Sequence, residues 1–208
     1  MAQLDDFVDG ISIHLGNTDA SNVPRIAVVF AARQALKKFC DESFAYIVNA
    51  FDTLIEINRP LTDSDLALTR LDKRCELSLP ANTHIIKVWR LTDNHCEHDS
   101  WLASARYGYP NIITLDDKRR HTDNVVVSLS VSQTTEECPD YLFNHYYDGL
   151  LSGTLAYLQM MPNREWAVPN LAQDHYALFE KAIQKAKSDV SNGFLKDRPM
   201  NEIPASFG

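Results

Sequence analysis

The sequence predicts an α+β fold: a bundle of long helices, one N-terminal and two in a C-terminal hairpin, with an inserted antiparallel β region and an extended C-terminal arm. Three observations carry this. Apolar residues recur at three- and four-residue steps over residues 23–43 and 138–193. Residues 44–137 contain short runs rich in β-branched and aromatic side chains. Residues 194–208 hold Pro199, Pro204 and Gly208, which forbid a long helix. At 208 residues and 45% hydrophobic content, the whole chain has the material for a single domain.

The elements follow in order. Leu4 to Asp9 reads as a short amphipathic turn or helix, and Gly16 to Asn22 as a polar loop. Ser21 or Asn22 can cap the next helix, with Pro24 in its first turn. In that helix Val29, Ala32, Leu36, Phe39 and Cys40 form one apolar stripe, while Lys37 and Lys38 suit the negative end of the helix dipole. Phe44–Val48 and Thr53–Ile57 read as strands; the alternative for the first is a helix continuing to Asn49. Leu61 to Lys73 is a short helix or an excursion, and Cys75 to Leu79 alternates as a strand does. In the strand His84–Leu91, Ile86 and Val88 share one face and Ile85 and Lys87 the other. Asp93 to Tyr109 is irregular. Asn111–Leu115 and Asn124–Val131 are strands across a charged turn, and together resemble a β-hairpin. In the second, Val125, Val127, Leu129 and Val131 predict a buried face, and Val126, Ser128 and Ser130 a wetter one.

The helical hairpin comes next, from about Pro139 to Met161 and from Leu171 to Ser191, with Pro162, Trp166 and Pro169 in the corner. Leu142, Tyr146, Leu150, Gly153, Tyr157 and Met160 form one stripe, and Gly149, Gly153 and Ala156 a small-residue patch beside it. A glycine inside a helix costs about 0.8–1 kcal/mol against alanine. Two of them four apart predict that another backbone packs very close, from the last helix or from a neighbouring subunit. In the last helix Leu171, His175, Leu178, Ala182 and Ala186, with Phe179, Ile183 and Val190, line up at helical spacing, and Lys181, Lys185 and Lys187 cover the outside.

A net charge of −8 opposes a large basic footprint for nucleic acid, but it suits a wall past which DNA moves ungripped. No apolar run reaches the roughly 18 residues of a membrane span, so no membrane association is expected. The acidic start, Met1 to Asp6, lacks the order of a signal peptide, so synthesis in the cytosol is expected. Cys40, Cys75, Cys96 and Cys138 form no CxxC pair, and reduced, partly buried thiols are expected. His95-Cys96-Glu97-His98 and Asp116-Asp117 read as solvated turns rather than metal sites. His145 and His175 could face each other across the hairpin as structural histidines. No nucleotide-binding, zinc-protease or hydrolase motif is present, so no catalytic residue, cofactor or metal is expected, and the chain reads as a non-enzyme.

Several segments resemble tailed-bacteriophage head-to-tail adaptor proteins, and the layout is similar to the podophage tail tubular protein A class. Val29 to Cys40, with its Phe39-Cys40 end, resembles the opening helix of that group. Leu77-Ser78-Leu79-Pro80 through Val88 resembles the strand, proline turn and strand that follow. Cys138 to Leu158 resembles the penultimate helix, and Met161-Pro162 through Trp166 with Pro169-Asn170-Leu171-Ala172 resembles the corner. The stretches 61–74 and 93–109 depart from that pattern. The resemblance implies a structural virion protein. It would form a ring of probably twelve subunits between portal and tail, extend the channel for double-stranded DNA, and bind the portal protein and a tail tube or nozzle protein. Gly149, Gly153, Ala156 and Trp166 would then pack between subunits, and Leu195, Met200, Ile203 and Phe207 would be the anchors of a portal-docking arm. The alternatives are a tail-completion or terminator protein of the same virion, or a small DNA-binding regulator using Arg33, Lys37 and Lys38 or the 118–120 turn.

Overall fold

A computed structural model describes residues 2–15, 23–49, 54–56, 72–77, 79–91, 112–116 and 124–193. Strand β1 (Ala2–Gln3) leads through a 3-10 turn, Leu4–Asp6, into α1 (Phe7–His14). The long helix α2 (Arg25–Ser43) follows, then β2 (Ile47–Asn49), β3 (Leu54–Glu56), β4 (Asp72–Leu77), β5 (Thr83–Leu91), β6 (Ile112–Asp116), β7 (Asn124–Val131) and β8 (Glu137–Cys138). The hairpin is α3 (Asp140–Gln159) and α4 (Pro169–Gly193). Among the described residues this is an α+β fold with four helices and small antiparallel sheets inserted between the long N-terminal helix and the C-terminal pair. The loop at 16–22, the stretches 61–71 and 93–109, the 118–120 turn and the arm lie outside the described residues, and α2 begins after Pro24, which is its N-cap without a side-chain bond, rather than being capped by Ser21 or Asn22.

Helix α2 is central because its buried side is built from small residues. Ala31, Ala32 and Ala35 let neighbours approach its backbone, while Leu36, Phe39 and Cys40 fill the space beyond. It packs on β7 and on α1, α3 and α4. Phe39 lies against Tyr146 of α3, with ring centroids 5.2 Å apart, and near Phe179 of α4. Each such buried large side chain contributes about 1.5–3 kcal/mol by removing apolar surface from water. The helix stops at Ser43. Phe44 takes the left-handed conformation (φ 59°), and its N–H bonds back to the Cys40 carbonyl. The Ser43 hydroxyl donates to the Phe39 carbonyl and accepts from the Ala45 N–H. This cap removes the alternative of a helix reaching Asn49. Lys37 and Lys38 do not serve the dipole of the last turn; they pair at i,i+4 spacing with Asp41 and Glu42.

The expected β-hairpin is not formed. Strand β6 pairs with β4, in the order β3-β4-β6, whereas β7 is the central strand of β2-β7-β5. Local sequence could not reveal this, because the partners of both strands are distant in the chain. The central position also overturns the expected wet face of β7: Val126, Ser128 and Ser130 are as buried as Val127, Leu129 and Val131. The Phe44–Tyr46 segment runs against the strand, with the Ser128 hydroxyl donating to the Phe44 carbonyl and the Leu129 N–H to that of Tyr46. A second correction concerns β5. A register shift between Ile85 and Lys87 aligns Ile85 with Leu129 and Val88 with Val127. Ile85 and Val88 therefore share the core face, and Ile86 is the extra residue of a bulge.

The N-terminus is tied in by β1, which pairs with β8, and by the Leu4 N–H, which donates to the Glu136 carbonyl at 2.9 Å. This brings Cys138 into the core, where it and Cys40 are fully buried free thiols. Burial pushes the Cys138 thiol up to about 12 and raises that of Cys40 as well. Both should therefore stay unmodified when native protein is treated with iodoacetamide at pH 8, and react once it is denatured. Peptide mass spectrometry reads this directly, and rapid native labelling of either would contradict the burial.

Candidate functional site

The most distinctive surface is a layer of three helices. A helix turns by about 100° per residue, so positions two apart point in nearly opposite directions. On α3, Tyr147 and Leu151 meet Gly10 of α1, whereas Gly149 and Gly153 meet Ala182 and Phe179 of α4. Helices α1 and α4 therefore meet different sides of α3, and they converge where His14 of α1 comes near His175 of α4. The contact with α1 is aromatic: Phe7 stacks on Tyr147 with ring centroids 5.4 Å apart and meets the edge of Phe143 at 5.3 Å.

The contact with α4 answers the question posed by the glycines. A Cβ at Gly149 would overlap the Ala182 methyl, and one at Gly153 would lie 2.7 Å from the Phe179 ring. Ala156 is fully buried. This small-residue face is spent within the chain, on its own last helix, so it is not a free surface for a second subunit. Tyr146 donates from its hydroxyl to Asp189 at 3.2 Å, further tying the two helices.

The corner is polar in its backbone and apolar at its rim. Asn163 takes the left-handed conformation (φ 58°), and the Ala167 N–H donates to the Arg164 carbonyl at 3.0 Å. Trp166 packs partly buried on the core, with Arg164 over its ring at 5.7 Å. Its Nε1, the Gln159 Oε1 and the His175 Nδ1 are buried without hydrogen-bond partners. Two residues expected in the apolar stripe of α4, Leu171 and Leu178, are exposed, as is Met160 at the end of α3. In the layer they lie outside the seam that Phe179, Ile183, Ala186 and Val190 fill. Lys181, Lys185 and Lys187 are exposed, as their spacing predicted.

His145 and His175 do not face each other. Antiparallel pairing of Gly149 with Ala182 and of Gly153 with Phe179 places them at opposite ends of the hairpin. His145 bonds the Tyr141 carbonyl through Nδ1, while His175 has His14 of α1 as a neighbour. Burial first, and then the nearby His14, lower the pKa of His175 from its ordinary 6.5. The folded state thus favours neutral His175, and the unfolded chain binds the proton more readily. This contribution to stability is present above pH 6.5 and is lost as the pH falls toward the lower folded value. His175→Asn should therefore show a shallower loss of stability below pH 6.5 than the parent, measured by urea midpoints across pH; an identical slope would contradict the burial.

Charge is distributed unevenly over the layer. Asp148 on α3, Asp9 on α1 and Asp6 at the end of the 3-10 turn lie close enough to Tyr147 that, after burial, they raise its hydroxyl pKa. The acidic start is legible in the sequence, but this cluster is not. Its signal was the spacing of Asp6, Asp9 and Ile13, which puts them on the outer side of one short helix. The cations proposed for a DNA-reading face are engaged within the fold. The Arg33 Nε donates to the Thr135 carbonyl at 2.6 Å, Lys37 pairs with Asp41 at 2.6 Å, and Lys38 pairs with Glu42 and, at 3.1 Å, with Glu180.

Among the described residues no three His, Cys, Asp or Glu side chains gather to hold a metal ion, and no helix is long and apolar enough to cross a membrane. His95–His98 lies outside the described residues, as do the arm residues Leu195, Met200, Ile203 and Phe207. A recess beside the sheet is lined by Tyr46, Asn82, Thr83, Thr135 and Glu136 without a converging set of charges. No protein-family model and no curated protein matches the chain.

Proposed function

We propose that this chain is a structural subunit of a virion neck: a ring between portal and tail that prolongs the DNA channel and offers the tail its attachment surface. The observation that carries the reading is that most of the resemblance falls on the packed helical part. Apart from Leu77 to Val88, which falls on the end of β4 and on β5, the segments similar to the adaptor group fall on α2, on α3, on the Pro162–Pro169 corner and on the start of α4. Those elements form one packed body, with the β2-β7-β5 sheet attached to α2 through β7. A net charge of −8 supports a channel wall that does not grip DNA. The regulator reading loses support because Arg33, Lys37 and Lys38 are committed to internal partners.

In this proposal Leu195, Met200, Ile203 and Phe207 anchor an arm on the portal. The test is co-sedimentation with the portal protein of the same virus. The full chain should sediment with portal rings, and a chain ending at residue 193 should not. Equal binding by both would remove the arm from the proposal, and no binding by the full chain would remove the portal.

A further inference from the structure

We infer that the corner end of the hairpin holds one internal water molecule, hydrogen-bonded to Gln159 Oε1 of α3, Trp166 Nε1 of the corner and His175 Nδ1 of α4. All three atoms are buried without a protein partner, and a polar atom taken out of water without a partner destabilises a fold. Their coincidence at one end of the molecule points to a shared ligand.

The seam between α3 and α4 sets two of them side by side. Gly149 lies against Ala182. Seven residues make close to two turns of helix, so two turns along this antiparallel pair Ala156 comes opposite His175. Gln159 follows Ala156 by three residues and neighbours it on the same face. Although it ends α3, Gln159 is only 1% exposed. Ala156 and Ala172, both fully buried, carry no polar side chain that could satisfy it. Trp166 lies in the corner that joins these two helix ends and packs on the core, and α1 reaches the same end with His14 near His175.

The donors and acceptors fit water. Gln159 Oε1 accepts, the indole N–H of Trp166 donates, and Nδ1 of neutral His175 accepts when the ring proton sits on Nε2. Water supplies the two donors and one acceptor that this set asks for, and about three bonds are usual for a buried water. A metal cation would face the indole N–H, and an anion would face the amide oxygen. The water ties the corner to both helices, whatever the chain assembles with.

The test is a crystal structure of the full chain at pH 7.5, at a resolution that shows ordered water, together with water-selective NMR on the nitrogen-15-labelled chain. The crystal should show one water oxygen about 2.7–3.2 Å from all three atoms. The indole N–H of Trp166, identified by its loss in Trp166→Phe, should give a cross-peak to a water that stays far longer than surface hydration does. His175 should show an unprotonated Nδ1. Gln159→Met keeps the length of the side chain but removes one partner, and should abolish the cross-peak while the rest of the spectrum stays dispersed. Direct bonds among the three side chains in the crystal overturn the inference. So do an indole N–H that meets only surface water, and a cross-peak that survives in Gln159→Met. The two measurements on the parent chain decide the matter even where Gln159→Met fails to fold.

Discussion

Phe179→Ala should lower the free energy of unfolding by about 3–5 kcal/mol. Phe179 is fully buried and occupies the space that Gly153 leaves open, with Phe39 of α2 on another side at 6.3 Å between ring centroids. One ring thus joins α2, α3 and α4. Its removal leaves a cavity that cannot collapse easily, because Gly153 has no side chain to swing in and Phe39 is held against Tyr146. A loss of that size is a large share of the roughly 5–15 kcal/mol that stabilises an ordinary domain. Chemical denaturation should show a lower midpoint with an unchanged slope. Adding Gly153→Ala to this variant should recover about 1 kcal/mol, since it restores helix propensity and fills part of the void. In the parent chain the same glycine substitution should destabilise. A loss under about 1 kcal/mol for Phe179→Ala would contradict the packing.

Gly149→Ala should cost about 1–3 kcal/mol, although at an exposed helical position it would gain about 1. The sign reverses because the new methyl meets the methyl of Ala182, which is fixed to the α4 backbone and cannot rotate away. The helices must move apart, loosening Phe179 and Ile183 in the same seam. Gly149→Ala with Ala182→Gly moves the methyl to the other helix and should return most of the loss. Additive effects of the two substitutions would mean that the residues do not touch.

These two positions also show how far the fold was legible. Gly149 and Gly153 announced a close helix contact because glycine is unfavourable in a helix unless something needs the room. The partner was not legible, since the last helix and a neighbouring copy would impose the same demand. Helical periodicity located α2, α3 and α4 closely, since each must bury one side. Sheet pairing was harder. The charged segment between β6 and β7 looked like a hairpin turn, but the partners of β7 are β2 and β5, which are far away in sequence. The bulge at Ile86 carries no local signature and inverts the facing of Ile85 relative to Val88. Leu171 and Leu178 fit the apolar period of α4 but point away from the seam that Phe179, Ile183 and Ala186 fill.

The proposed function requires the chain to assemble as a ring on the portal. Native mass spectrometry of the chain mixed with its portal protein tests it most directly. The account predicts one dominant complex, in which twelve copies of this chain sit on each portal ring and stay attached as excess chain is removed. A portal ring without bound copies, or with a variable number that falls on dilution, would contradict it.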